Sequence, residues 1–362
     1  MKNANEQRLM ILLSRITFSD SDIEEIEGLS EAELDWNYIL LLAIKNKILA
    51  LLWVNLDQLG LIKVIPRKIR QVMKLFSQGI QNRTEEYLRL VDELQLALQK
   101  NNIPHAFLKG SYLIPNMYMN PGCRNINDVD ILIRKCDKKN VDTVMKNMGF
   151  LQGEYSDALQ RVIPLSREKR ILWASKMNNL FPYTKYANSS YINCYKVDFC
   201  FRLDVKNQNE SMDFFYKELN STGKISTPYF FLHLCCHFYK EAVNLLWVYN
   251  ENDVNLIKLC DIYEYFNNVM TEQERVEAMI LAENHGHSDD VFYSLHCVSE
   301  IYNVDYSAYI NTLTIKDRTI LDKFIGNRDQ RITWKRNLYS RIFSLSNEDE
   351  LQGTIPEYKL LD

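Results

Sequence analysis

At Ile103 the spacing of apolar residues switches from helical to extended, and that switch limits the chain to folds in which long helices surround a small sheet. Upstream, from Pro66 to about Lys100, Tyr87, Leu90, Val91, Leu94, Ala97 and Leu98 recur at spacings of three and four, giving one apolar helical face. Downstream, IPHAFL is short, apolar and bounded by Asn101-Asn102 and Lys109-Gly110, the signals of a strand. NDVDILI then alternates: Val129, Ile131 and Ile133 share one side, Asp128 and Asp130 the other. Asp137 stands where it can cap a helix with apolar positions Val141, Val144, Met145 and Met148, closed by Gly149. YKVDFCFRL, Tyr195 to Leu203, reads as a further strand, with Val197, Phe199, Phe201 and Leu203 alternating against Lys196, Asp198, Cys200 and Arg202.

Composition narrows the class. Gly (11) and Pro (8) are scarce in 362 residues, which favours long helices over an all-β sandwich. A hydrophobic content of 46% can bury a sizeable core, and the length suggests two or three units. A net charge of -4 supplies no overall basic field for nucleic acid or an anionic membrane, so neither is expected as a partner. Glu6, Gln7 and Arg8 interrupt any export signal, and Tyr38 to Val54 carries Lys45 and Lys47 at its centre, which suits a buried amphipathic helix rather than a membrane span. Eight cysteines without CxxC pairing match reduced thiols, and a cytoplasmic location is expected.

Along the chain, Ser30 to Glu33 (SEAE) reads as a capping box opening a helix to about Leu56. Residues 1–100 are expected to be a helical region, 101–205 an α/β core, 206–346 a second helical region and 347–362 a loose tail. Leu151 to Asn193 is polar and aromatic, an irregular excursion with a strand or two. The tyrosines of Tyr183 to Tyr195 are assigned to ordinary packing.

The chemistry-bearing residues lie in the α/β core. Two carboxylates at i and i+2 of a strand share a side and can hold a hard divalent ion or a metal pair. By itself a DxD fits a solvated strand face equally well. Lys109-Gly110-Ser111 lies upstream at a strand-to-helix turn, where amides and a hydroxyl can hold phosphates. A third carboxylate on a later strand completes a pattern suited to phosphoryl or nucleotidyl transfer.

These residues resemble the uncharacterised nucleotidyltransferase family of the polymerase-β-like nucleotidyltransferase superfamily. The resemblance is carried by Leu108-Lys109-Gly110, Tyr118, Arg124, the DVDILI run from Asp128 to Ile133, and an hLxxHxxK-like segment from Leu232 to Lys240 with His233 and His237. It implies an α+β fold with a small mixed β-sheet core flanked by N-terminal and C-terminal helical regions. It also implies that Asp128 and Asp130 bind metal, Mg²⁺ or Mn²⁺, that Gly110 and Ser111 hold the β and γ phosphates, and that Lys109 and Arg124 offset their charge. Asp198 would be the third carboxylate and metal ligand, relaying the acceptor's proton. Asp204 is the alternative third carboxylate. Where relatives carry a His two positions after that acid, this chain has Cys200.

His233 and His237, four apart beside Cys236, would offer two imidazoles to zinc, but flanking Phe231, Leu234, Cys235 and Phe238 make this a buried helix whose histidines suit a core or pocket better. Both are assigned to nucleotide binding, with Lys240 on the face of His237. The expected activity is transfer of a nucleoside monophosphate from an NTP, ATP foremost, to a hydroxyl or phosphate acceptor on a small molecule, peptide or protein in a bacterial cytoplasm. The contrasting reading is a catalytically silent nucleotide-binding or protein-interaction module, an antitoxin-like partner included.

Overall fold

The computed structural model of the chain describes residues 3–176, 179–202, 212–351 and 353–356; Leu203 and Asp204 lie outside the described residues. The fold is α+β, and the chain divides into two units, Gln78–Phe230 and Met1–Ser77 with Phe231–Asp362.

The first unit holds a mixed sheet of six strands: β1 (His105–Phe107), β2 (Val129–Ile133), β3 (Leu151–Ser156), β4 (Arg161–Pro164), β5 (Tyr183–Tyr186) and β6 (Cys194–Cys200). Their spatial order is β1-β2-β6-β5-β3-β4. β2 and β6 run parallel, with Val129 opposite Val197 and Asp130 opposite Asp198, while β1 pairs antiparallel with β2. The alternation seen in the sequence sorts the two sides of these strands. Val129, Ile131, Ile133, Val197 and Phe199 are buried in one apolar cluster with Leu90, Leu94 and Leu98 of the helix Arg67–Lys100 and Val141, Val144 and Met145 of the helix Lys138–Asn147. Each such side chain contributes about 1.5–3 kcal/mol by leaving water. Asp130 and Asp198 therefore point to the opposite side.

The helix expected after Asp137 ends at Gly149, whose φ of +83° suits glycine. Asp137 makes no side-chain cap; its carboxylate accepts from Arg134 Nε at 2.9 Å instead. The excursion from Leu151 to Asn193 is more regular than expected, since β3, β4, β5 and the helix Arg167–Lys176 lie in it. Tyr183 packs in the core, as expected, and donates to Asp142 Oδ1 at 3.0 Å.

The second unit joins both ends of the chain through helices, with a small β7–β8 ladder (Lys323–Ile325, Arg331–Thr333). The capping box expected at Ser30 is absent: Ser30 ends the helix Asp20–Ser30, whose own capping box is Ser19 with Asp22. The following helix, Trp36–Lys45, is capped by Asp35, whose carboxylate accepts from the Asn37 and Tyr38 amides. It breaks at Lys47 (φ +58°) before Leu49–Gln58 because buried Asn46 serves as an anchor, donating to Leu42 O and Ile342 O and accepting from Leu256 N. Lys45 is satisfied by the carbonyls of Arg341 and Ser344, as befits a buried amphipathic helix. Within the stretch expected to be loose, Asn347 and Glu350 are buried, and Glu350 accepts from Lys335 N and from Arg336 Nε. Among the described residues no helix is long and apolar enough to cross a membrane.

Candidate active site

The turn after β1 brings the Lys-Gly-Ser segment to β2. Leu108 N donates to Asp130 O at 3.0 Å, and the chain reverses at Lys109, whose φ of +49° is a left-handed conformation that costs a side-chain-bearing residue roughly 1–2 kcal/mol. Lys109 Nζ returns to within 3.0 Å of Asp130 Oδ1, a partly buried ion pair. Gly110 lies in the short helix Lys109–Leu113, and a Cβ there would lie 2.4 Å from Arg124 Nη1, so the absent side chain leaves room for the guanidinium. Ser111 is buried, and its hydroxyl donates to Leu108 O at 2.6 Å, fastening the turn.

The helix Arg67–Lys100 fixes the loop that carries Arg124 and leads into Asp128. Thr84 Oγ1 donates to Arg124 O, Arg83 Nε to Ile126 O and Tyr87 Oη to Asn127 O, at 3.1, 3.0 and 2.6 Å. Asp128 is exposed at the entry to β2, two positions before Asp130. Lys109, Gly110, Arg124, Asp130 and Asp198 are thus gathered by the β1–β2–β6 pairing and the loop that enters it.

Asp198 is only partly exposed, and Asn179 Nδ2 donates to both of its oxygens at 3.0 Å. The orientation of that amide is determined chemically. Trp173 Nε1, a donor with no acceptor capacity, lies 3.2 Å from Asn179 Oδ1, so the amide nitrogen must face Asp198. Burial pushes the Asp198 carboxyl up to about 7, Asp130 and Asp128 push it the same way, and Asn179 and Lys109 oppose them. A hard divalent cation would relieve the repulsion among these carboxylates, whose oxygens do not converge into a ready ligand set in this structure.

On the side of β6 that Asp198 faces by strand alternation opens a cleft of about 590 Å³, lined by Arg83, Asn127, Tyr155, Tyr191, Cys194 and Lys196 among others but by none of the three acids. Cys200 faces the same side of β6 as Asp198 by strand alternation. Sequence reasoning missed Asn179 and Trp173, which lie in a segment without a clean period. It also missed the anchoring roles of Arg83, Thr84 and Tyr87, for which the only signal was polar side chains clustered within one turn of an otherwise apolar-patterned helix.

His233, His237 and Lys240 belong to the other unit, on the helix Thr227–Ala242. His233 is buried with its ring stacked 6.0 Å from that of His237. His237 Nε2 lies 3.1 Å from Glu241 Oε1, and Glu241 in turn meets Lys258 Nζ at 2.6 Å. Cys236, adjacent to His237 in sequence, contacts His287 and Asp290.

No curated protein and no solved structure matches the chain. A family model described as uncharacterised nucleotidyltransferase matches residues 32–303, a stretch that holds the carboxylates, the Lys-Gly-Ser turn and the His233 to Lys240 segment, and the chain belongs to that nucleotidyltransferase family.

Proposed function

We propose that the chain is a Mg²⁺-dependent nucleotidyltransferase that moves a nucleoside monophosphate from an NTP, ATP foremost, to a hydroxyl or phosphate acceptor. The observation that carries this reading is the parallel pairing of β2 with β6, which sets Asp130 opposite Asp198, with Asp128 two residues ahead. The reading rests on residues of the sheet unit alone.

In this proposal Asp128, Asp130 and Asp198 hold the divalent cation, which when bound activates the attacking oxygen and offsets charge on the leaving group. Lys109 exchanges Asp130 for phosphate oxygens, and Arg124, lying against Gly110, offers a planar guanidinium to the same triphosphate. The Gly110 amide completes the phosphate cradle in this proposal, while the Ser111 hydroxyl, committed to Leu108 O, holds the turn. The acceptor oxygen bonds to the α-phosphorus as the bond to the bridging oxygen breaks, and pyrophosphate leaves with the electron pair. In this proposal the acceptor's proton passes to Asp198. Asn179 orients that carboxylate. The open cleft beside Asn127 and Lys196 has aromatic and charged walls suited to a nucleoside or a polar acceptor.

Isothermal titration with non-hydrolysable analogues of the four NTPs, with and without Mg²⁺, tests the proposal. Mg²⁺-dependent binding that disappears in Asp128→Asn, Asp130→Asn with the fold intact is the expected result. The absence of binding to all four, or binding indifferent to Mg²⁺ and to the double substitution, would overturn it in favour of a silent scaffold.

A further inference from the structure

We propose that Cys236, His287 and Asp290 form a zinc site within the helical unit. Cys236 sits on the helix Thr227–Ala242, while His287 and Asp290 sit at the start of the helix Ser288–Tyr302. Cys236 Sγ lies 3.4 Å from His287 Nδ1 and 3.3 Å from Asp290 Oδ2, and those two atoms lie 2.8 Å apart. Zinc bonds of about 2.3 Å to sulfur and about 2.0–2.2 Å to nitrogen and oxygen, at tetrahedral angles, separate sulfur from the other donors by roughly 3.5–3.7 Å and nitrogen from oxygen by roughly 3.3–3.5 Å. Both edges that include the sulfur come within roughly 0.1–0.4 Å of that spacing. The nitrogen-to-oxygen edge needs to open by roughly half an ångström.

Burial and charge select an ion over other occupants. Cys236 and His287 are each 1% exposed and Asp290 is 7% exposed, so the thiol is closed to any substrate and the trio does not serve as a nucleophilic triad. A carboxylate accepting from a thiol and an imidazole would account for Asp290 by hydrogen bonds alone. Zinc adds something these bonds do not: a thiolate and a carboxylate together cancel its double charge, leaving a neutral assembly among Cys235, Phe238 and other buried residues. On binding, the Cys236 thiol proton passes to solvent and the imidazole proton shifts to Nε2, freeing Nδ1 as a ligand. The second Asp290 oxygen or a water fills the fourth position. The site would fasten two helices remote in sequence.

The test is metal analysis of the full chain purified without a polyhistidine tag, loaded with Zn²⁺ and dialysed against a weak chelator. About one zinc per chain is expected in the wild type and in Asp128→Asn, Asp130→Asn, falling at least tenfold in Cys236→Ser and in Asp290→Asn. Wild-type protein that retains no zinc, or Cys236→Ser that retains as much as the wild type, overturns the site. Should the substituted chains fail to fold, Co²⁺ loaded into the wild type decides. A thiolate-to-cobalt charge-transfer band with tetrahedral ligand-field absorption, persisting in Cys136→Ser where the exposed thiol is removed, supports the site. Octahedral Co²⁺ without that band overturns it.

Discussion

Asp130 and Asp198 face one another across the parallel pair β2–β6, and each carboxylate has its own polar neighbour: Lys109 Nζ at 3.0 Å from Asp130, and the Asn179 amide at 3.0 Å from both oxygens of Asp198. Asp130 is paired directly with a full charge, whereas Asp198 is partly buried, bonded to an amide dipole, and feels Lys109 only through space. The second is the one whose proton is held up to about 7.

That proton makes stability depend on pH with a definite sign. The Asp198 carboxyl is raised in the folded state from an ordinary 3.8 to about 7, so between these values the native chain keeps a proton that the unfolded chain has lost. The associated stability is present at low pH and is lost as pH rises through that window, on the order of a few kcal/mol. Thermal unfolding without divalent ions should show the wild type losing ground to Asp198→Asn between about pH 4 and about pH 7. Mn²⁺ affinity should rise across the same range, because the cation and the proton compete. Parallel pH profiles of the two proteins would show that Asp198 does not titrate there.

Asn179 and Trp173 act through Asp198 rather than on substrate. Asn179→Leu removes both hydrogen bonds to the carboxylate, and Trp173→Phe keeps the ring against Phe181 while releasing the amide to rotate. Residues in such a supporting role typically change metal affinity by about 10–100-fold when replaced. Mn²⁺ titration followed by electron paramagnetic resonance should place Asn179→Leu in that range and Trp173→Phe below it, with melting temperatures nearly unchanged. Equal loss of melting temperature and metal affinity would instead mark both as packing residues.

The central strands were legible because both are buried on one side and polar on the other, which is the condition for alternation in sequence. β2 announces itself through Val129, Ile131 and Ile133, and β6 through Val197 and Phe199. β3 and β4 lie at the far edge of the sheet, where Gly153 alone is buried and pairing is carried by the backbone, so no periodic signal exists to read. The Asn179 amide is illegible for a related reason: it reaches Asp198 from an irregular segment across a long-range bridge to Cys200. Ser30 misled because SEAE has the residues of a capping box, whereas Asp35 supplies the cap five residues later. His287 and Asp290 had no partner visible in sequence, since Cys236 reaches them only through helix packing.

Gly153 on β3 tests the edge of the sheet. A Cβ there would lie 2.2 Å from Ile163 O and 3.0 Å from Pro164 Cα, both backbone atoms of the paired strand β4 that no rotamer change can move. Gly153→Ala should therefore destabilise the chain by about 1–3 kcal/mol or detach β4. Urea denaturation reads the first outcome and hydrogen exchange of the β4 amides the second. An unchanged midpoint with protected β4 amides would refute the close approach.

Lys109 combines strain with charge, and the two can be separated. Its φ of +49° is cheap for glycine and expensive for any other residue, so Lys109→Gly relieves roughly 1–2 kcal/mol of backbone strain while deleting the ion pair with Asp130. Lys109→Ala deletes the same pair and keeps the strain. The glycine variant should unfold at a higher urea concentration than the alanine variant, by about 1 kcal/mol in free energy, and both should lose triphosphate affinity by about tenfold or more. A lysine retained in a strained conformation only for local folding would give the opposite pairing: stability would fall in both variants and nucleotide affinity would hold. Urea titration alongside calorimetric titration with an NTP analogue distinguishes the two results, because each variant is compared with the other at identical charge.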